Sequence, residues 1–499
     1  MKFRTGMLLG TAFFMAGVAI GPQLQEWIHF KDTNFFTKAL AEGVNSDNKD
    51  KKVQNPNETY QLLTLFGNIF DLVRSNYVEP VSDRDLVTNA LNGMLSGLDP
   101  HSSYMTEKQY ANMEIQTKGE FGGLGLEVQE EDGRIKVVSP IDGTPAARAG
   151  VKPGDYIVAI DGKTIDGMSL NAAVDKMRGK PNTKIVLTLF RLKEPKPFTV
   201  TMTREIIHIQ VIKSALYDKI GYIRVSQFNE ETNKGLIKAY DKLKKDAGGK
   251  LTGLILDLRN DPGGLLNQAI DVSSDFISDG TIVSTKARNP KDSQRWNAHG
   301  SDMTNGLPIV VLINGGSASA SEIVAGALQD HRRAVLLGEK SFGKGSVQSV
   351  IPIPGNGAVR LTTARYYTPS GRSIQGLGIT PDIHVQESRE KPEFSIREAD
   401  LDHIIKNAGG TNTKPPVRND LPAIASNIAA QPPENWPKYD FSNPATDYQL
   451  QQAIRVVRSM AGLPVAKEIT VPVVKKLKIN IPANENKSEP EQNKVKQKQ

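Results

Sequence analysis

The chain has 499 residues, 38% of them apolar, with a formal net charge of +7 from 62 basic and 55 acidic side chains. That length allows two or three domains with well-buried cores. Residues 475–499 carry seven Lys against three Glu and so +4 of the charge, which makes the basicity largely a tail effect and excludes bulk nucleic-acid binding as its reading.

The chain contains no cysteine, so disulfides, thiolate metal sites and a cysteine nucleophile are excluded. Lys2 and Arg4 precede an uncharged run from Thr5 to Gln25, with its dense apolar part at Met7–Ile20. A basic start and a short apolar core read as an export signal over 1–25, either cleaved or retained as an anchor. Either way the body of the protein is expected in the periplasm or cell envelope, with inner-membrane association if the segment is kept. Residues 42–57 are polar and aperiodic and read as a linker.

A helical arm is expected over 58–113. Leu62, Leu65, Phe66, Ile69 and Leu72 recur at three- and four-residue steps, and Leu86–Leu98 follows the break at Glu79-Pro80. Its apolar stripe should pack on a neighbour. Residues 114–205 read as a compact β-rich module, with strands at Leu124–Gln129, Ile135–Ser139, Tyr156–Ile160, Ile185–Phe190 and Phe198–Met202 and a hairpin turn at Asp132-Gly133. Gly122-Gly123-Leu124-Gly125-Leu126 opens the first of these strands as a flexible glycine loop. Such a loop can cradle a peptide's C-terminal carboxylate while the peptide adds to the strand edge.

From 210 to 385 short buried-type strands (Gly221–Val225, Leu254–Leu258, Ile309–Ile313, Ala334–Leu337) alternate with helix patterns at Leu265–Ile277 and Ala320–Gln329. The fold class is therefore α/β, in the wider α+β sense of a multidomain chain. Over 390–483 the signal weakens to one helix near 448–460, and 484–499 read as a disordered Lys-rich tail.

Two stretches carry chemistry. In Gly316-Ser317-Ala318-Ser319-Ala320-Ser321-Glu322 the apolar strand turns sharply into a helix. Ser319 falls at the first turn, where unpaired N–H groups and the helix dipole favour an alkoxide or oxyanion. A lone serine there is ordinarily only an N-cap, and Ser317 and Ser321 can be just that. In Phe342-Gly343-Lys344-Gly345-Ser346-Val347-Gln348 a glycine-flanked lysine follows 25 residues after Ser319. A lysine on a surface loop is the ordinary case, but burial would keep the amine neutral and let it act as a general base. Gln348 can hydrogen-bond that amine without a charge that would restore its proton. A third stretch, Asp257-Leu258-Arg259-Asn260-Asp261-Pro262-Gly263-Gly264, ends a strand with paired glycines whose amides could approach a ligand.

Competing motifs fit less well. Gly338–Lys344 nearly matches a phosphate-binding loop but has Gly345 where Ser or Thr would bind magnesium. No His-x3-His pair suggests a metallopeptidase, so neither metal nor cofactor is expected. His331 lies twelve residues after Ser319, about 1.5 Å per residue along a helix, and so cannot take the Ser319 proton. Arg332 and Arg333 beside it suggest a solvated helix end.

Taken together, Gly-Ser-Ala-Ser-Ala-Ser-Glu-Ile around Ser319, Phe-Gly-Lys-Gly-Ser-Val-Gln around Lys344, Arg-Asn-Asp-Pro-Gly-Gly and the later Gly371-Arg372-Ser373-Ile374-Gln375-Gly376 resemble the C-terminal processing peptidases, serine peptidases with a Ser–Lys dyad. The likeness spans about 58–385. It implies Ser319 as nucleophile, Lys344 as general base and Gln348 as the orienter of Lys344. The oxyanion hole would combine the Ala320 amide with one from Gly263 or Gly264. It also implies a PDZ domain at 114–205, inserted between the arm and a crotonase-like ββα core at 210–385. The implied partners are protein or peptide substrates with apolar C-termini, a second copy of the chain through the arm and tail, and a regulatory adaptor. The alternative is a peptidase-like PDZ scaffold without activity, against which the intact Ser319, Lys344 and Gln348 set speaks.

Overall fold

A computed structural model describes residues 56–472, apart from 193, 391–395, 408–416, 441–442 and 467. The expected export segment, most of the linker and the Lys-rich tail lie outside the described residues. No helix among those described is long and apolar enough to cross a membrane.

The arm begins with helices Pro56–Asn76 and Asp83–Ser96. Ser82 caps the second by accepting the Asp85 N–H. Strand β1 (Ser103–Met105) and the helix Glu107–Lys118 follow. The expected packing of the first helix is not seen: Leu62, Leu65, Phe66, Ile69 and Leu72 are all more than half exposed. No part of the chain among the described residues covers that stripe.

The module comprises β2 (Glu120–Gly123), β3 (Leu126–Glu131), β4 (Arg134–Pro140), β5 (Tyr156–Ile160), β6 (Lys163–Thr164), β7 (Lys184–Phe190), β8 (Phe198–Thr203) and β9 (Glu205–His208). Its sheet runs β3-β4-β5-β7-β8, with β6 on β5. Asp132 and Gly133 turn β3 into β4 with φ of 52° and 71°, the two left-handed residues that a two-residue hairpin requires. Strands β7 and β4 alternate, with Ile185, Leu187, Leu189, Ile135 and Val137 turned into the module's own core. The antiparallel pair β2–β9 closes the neck where the module enters and leaves the chain.

The core holds β10 (Ile212–Tyr217), β11 (Ile220–Val225), β12 (Gly253–Asp257), β13 (Thr281–Ala287), β14 (Arg295–Asn297), β15 (Ile309–Ile313), β16 (Val335–Gly338), β17 (Ser346–Pro352), β18 (Ala358–Tyr367) and β19 (Ile383–His384). One sheet has the order β10-β11-β12-β15-β16-β19, parallel from β11 onward. Every residue of β12 and β15 is buried, because helices cover both faces and a parallel strand between them has no wet side. On one face lie helices Thr232–Asp246, Leu266–Ser274 and Ala320–Asp330. On the other lies helix Tyr448–Met460, which buries Tyr448, Leu450, Ala453, Val456 and Val457 against Ile255, Val310, Leu312 and Leu337. A second sheet, β1-β18-β13-β14 with β17 on β18, joins the arm to the core, since β1 pairs with β18.

Candidate active site

The site forms at the carboxyl ends of β12, β15 and β16, where neighbouring parallel strands release their chains into loops. After β15 the turn Asn314–Ala318 leads to Ser319, the N-cap of helix Ala320–Asp330. Ser319 thus stands one residue before the helix rather than within its first turn. Its φ of 56° and ψ of −110° form a strained conformation for a side-chain-bearing residue, costing about 1–3 kcal/mol.

The surroundings hold this elbow. The Ala318 N–H donates to Asp261 O at 2.9 Å. Ser317 Oγ donates to Leu258 O at 2.8 Å and accepts the Asn314 N–H at 3.0 Å. Ser321 Oγ donates to Asp261 O at 3.0 Å. Both flanking serines therefore stitch the elbow to the loop after β12. The Ser319 hydroxyl takes part in its capping box with Glu322 only as an acceptor and donates to no group among the described residues. Of the three candidate serines, only Ser319 keeps its hydroxyl proton uncommitted.

The fully buried Glu322 organises both chemical stretches. Its Oε2 accepts the Ser319 N–H at 2.8 Å and the Lys344 N–H at 2.9 Å. Its Oε1 accepts the Gly343 N–H at 2.7 Å and Ser341 Oγ at 2.5 Å. Burial pushes its pKa up to about 7, against the pull of these four donors. The sequence carried a signal for it: Ser-x-x-Glu at a helix start is a capping box.

Lys344 is partly buried, and its amine makes no hydrogen bond to Ser319 Oγ or to Gln348 in this structure. Burial lowers its pKa from the ordinary lysine value, the Arg360 charge lowers it further, and Glu398, Glu322 and Asp99 resist. The Lys344 loop is pinned on both sides. Phe342 N–H donates to Ser317 O at 2.9 Å, Ser341 N–H to Ile379 O at 3.0 Å, and Gly345 N–H to Gln375 Oε1 at 3.0 Å. The Gln375 Nε2 in turn donates to Glu398 Oε1 at 2.7 Å, and Glu398 Oε2 meets His101 Nε2 at 2.8 Å. Gln375, Glu398 and His101 were not singled out in the sequence as site residues. They lie 31, 54 and 243 positions from Lys344 and come together only through the tertiary fold. The Gln348 amide donates to Ser346 Oγ at 3.0 Å and to Thr362 Oγ1 at 3.2 Å, rather than touching the lysine.

Asp261 Oδ1 accepts the Gly263 N–H at 2.8 Å. That engages one of the two glycine amides proposed for an oxyanion hole, and the Gly264 N–H has no acceptor among the described residues. Gly263 is nonetheless the residue against the Ser319 elbow, since a Cβ there would stand 2.8 Å from Ala320 N and 2.9 Å from Ser319 Cβ. Its φ of 92° also requires glycine. The Ala320 N–H, at the first helical position, lacks an intrahelical acceptor. Burial raises the Asp261 pKa to about 7, and its Oδ2 is buried without a partner.

His331 sits at the far end of the helix with Nε2 bonded to Thr281 O at 2.7 Å. The helix end is less solvated than its arginines suggested, because Arg333 binds Asp302, Thr304 and Leu307 O. In the module, Gly122 and Gly123 belong to β2 rather than to a flexible loop, and the Gly122 carbonyl accepts the Gly179 N–H at 3.0 Å. Leu124 is a core residue. Gly125, with φ of 73°, offers its carbonyl to Ile141 N–H at 2.8 Å. Leu126 begins β3, the edge strand of the module sheet.

With this geometry in view, the comparisons with known proteins converge. The family model of peptidase family S41 matches residues 219–385, that of the PDZ domain 136–191, and that of the activating protease CtpB N-terminal domain 26–109. A carboxy-terminal-processing protease of Bartonella bacilliformis is 51% identical over 80% of this chain and 89% of its own. The chain belongs to the carboxy-terminal-processing protease family. A carboxyl-terminal-processing protease of Synechocystis sp. is 38% identical over 68% of this chain and 80% of its own. A solved photosystem II D1 C-terminal processing protease is 30% identical over 65% of this chain and 92% of that one, with a TM-score of 0.38. The protein is a serine-type peptidase with a PDZ domain suited to binding peptide or protein substrates.

Proposed function

We propose that this peptidase is an exported endopeptidase that captures the apolar C-termini of protein substrates on its PDZ domain and cleaves them through a Ser319–Lys344 dyad. One observation carries this reading: a single buried carboxylate, Glu322, accepts the backbone N–H groups of both Ser319 and Lys344, so the two loops are built as one unit. The uncommitted Ser319 hydroxyl and the depressed Lys344 pKa support the roles of nucleophile and base.

In the reaction, the neutral Lys344 amine takes the Ser319 proton as Oγ attacks the scissile carbonyl carbon. The developing oxyanion meets the Ala320 N–H, at the positive end of the helix dipole, and a glycine amide of the 263–264 turn. Collapse expels the substrate amine, which takes the proton from Lys344 and leaves an acyl-enzyme. Water then attacks that ester with Lys344 again as base and frees Ser319. Contact between Ser319 Oγ and Lys344 Nζ, absent here, would form as substrate fills the site.

The experiment is cleavage of an unfolded protein substrate by the full chain and by its Ser319→Ala and Lys344→Ala variants. Both variants should be inactive, and wild-type cleavage by both would reject the dyad. Export through the N-terminal segment and regulation by an adaptor complete the proposal, and fractionation of cells producing the full chain tests the first. The exposed stripe of helix Pro56–Asn76 supports a homodimer through the arm. Sedimentation should then give twice the chain mass for wild type and a lower mass for Phe66→Glu, and a monomeric wild type would overturn it.

A further inference from the structure

The N-terminal arm places a buried acid beside the catalytic sheet. Asp99, only 3% exposed, lies in the loop between helix Asp83–Ser96 and β1. Its Oδ1 accepts the His101 N–H at 2.9 Å, the Ser102 N–H at 3.0 Å and Thr362 Oγ1 at 2.9 Å, and its Oδ2 accepts Ser102 Oγ at 2.6 Å. Burial alone would raise the Asp99 pKa, but these bonds, led by that from Ser102, hold it below its ordinary value. Thr362 stands directly across from Gln348 in the β17–β18 pair.

The direction of each hydrogen bond follows from what each group can do. An ionised carboxylate can only accept. The Thr362 hydroxyl must therefore spend its single proton on Asp99. Towards Gln348 it has only lone pairs, so Gln348 must present its NH2, as the 3.2 Å contact from Nε2 records. The second Nε2 proton goes to Ser346 Oγ at 3.0 Å. Oε1 is then the end of the amide left to accept from the Lys344 amine. Turned over, the amide would instead donate N–H to the lysine lone pair, the same pair that must receive the Ser319 proton.

We propose that Asp99 is a positioning residue of the peptidase: through the Thr362 hydroxyl it sets the polarity of the Gln348 amide, so that its carbonyl oxygen rather than its NH2 serves the Lys344 amine. The arm thereby becomes part of the catalytic apparatus, because the residue that orients the base's partner belongs to the loop that seats β1 on β18. The inference rests on the Ser–Lys reading above.

The test compares Asp99→Ala, Thr362→Val, Thr362→Ser and the Asp99→Ala/Thr362→Val double variant of the full chain on an unfolded protein substrate. Ala at 99 removes the acceptor of the Thr362 hydroxyl and frees its proton to turn to Gln348, whereas Asn would keep its oxygen on the His101 and Ser102 N–H groups and go on accepting from Thr362. Val at 362 removes the acceptor of the Gln348 amide while leaving the Asp99 charge in place. Each single variant should lose about tenfold or more in kcat with KM little changed, Thr362→Ser should keep the wild-type rate, and the double variant should be no worse than the slower single one. In Thr362→Val a turned amide also favours the neutral lysine, so the acid limb of kcat/KM should move to lower pH. A merely structural loss would lower the plateau and leave the limb in place. Wild-type kcat in Thr362→Val, a slow Thr362→Val with an unmoved limb, or additive losses in the double variant would each overturn the proposal. Should Asp99→Ala fail to fold, judged by circular dichroism, the Thr362 pair decides alone. Lys344→Ala separates the two claims: an active Lys344→Ala defeats the dyad itself, whereas an inactive one beside wild-type rates in Asp99→Ala and Thr362→Val defeats only the relay.

Discussion

Replacing Glu322 by Gln tests the link between the two catalytic loops. The carboxylate receives four donors, two on each oxygen, from Ser319, Lys344, Gly343 and Ser341. An amide of the same shape keeps one oxygen and turns NH2 towards the other pair; its better orientation sets the NH2 against Ser341 Oγ, which can accept, so one buried donor, the Gly343 N–H, loses its acceptor. That stranded donor costs about 1–3 kcal/mol. The lower cost of burying a neutral amide offsets part of this. If the loops must be returned to register for reaction, about 1 kcal/mol corresponds to roughly fivefold in kcat, and about 3 kcal/mol to roughly 150-fold. We expect Glu322→Gln to cleave an unfolded substrate about 5- to 150-fold more slowly with KM little changed. Amide hydrogen exchange should rise in both segments 317–323 and 341–346, although the substitution sits in only one of them. A variant within about threefold of wild-type kcat, or faster exchange in the 317–323 segment alone, would refute the reasoning.

Other outcomes follow from single contacts. In Gly263→Ala the new Cβ would lie 2.6 Å from Ala318 O at a φ of 92°, so kcat should fall by about 100-fold or more, and retained fluorophosphonate labelling of Ser319 at the wild-type rate would contradict this. Arg360 is exposed and its charge helps depress the Lys344 pKa. Arg360→Gln should therefore move the acid limb of kcat/KM to higher pH, and added salt should move the wild-type limb the same way but not that of the variant; a limb moving to lower pH would be inconsistent. The Arg259 guanidinium is buried between Asp257 and Asp447, with its Nη2 2.7 Å from each carboxylate. Asp447→Ala should cost about 3–5 kcal/mol in urea unfolding, and a loss below about 1 kcal/mol would show the pair to be dispensable.

The periodic parts of this molecule were legible in its sequence. The unbroken apolar runs at Leu254–Leu258 and Ile309–Ile313 announced buried parallel strands, because a strand covered on both faces needs no polar side. Asp132-Gly133 announced its hairpin through the left-handed backbone those residues tolerate. The small residues around Ser319 and the glycines around Lys344 drew attention to the right loops. The long β17–β18 hairpin escaped notice, since Thr362, Thr363 and Arg365 break the apolar alternation of a strand that is only partly buried. The arm's helices were legible, but their exposure was not, because an apolar stripe does not say whether its cover lies in the same chain.

Which groups meet was a matter for tertiary structure. Ser319 differs from Ser317 and Ser321 because their hydroxyls are taken by Leu258 O and Asp261 O, carbonyls some 60 positions away in the chain. The Lys344 pKa falls only once the fold buries its loop, since desolvation is a property of surroundings and not of the residue. Asp99 and Thr362, 263 positions apart, touch because β1 of the arm adds to β18. Local patterning, set by periodicity and backbone preference, determined the elements and their order. Hydrogen-bond direction and burial, which depend on distant parts of the chain, determined what those elements can do.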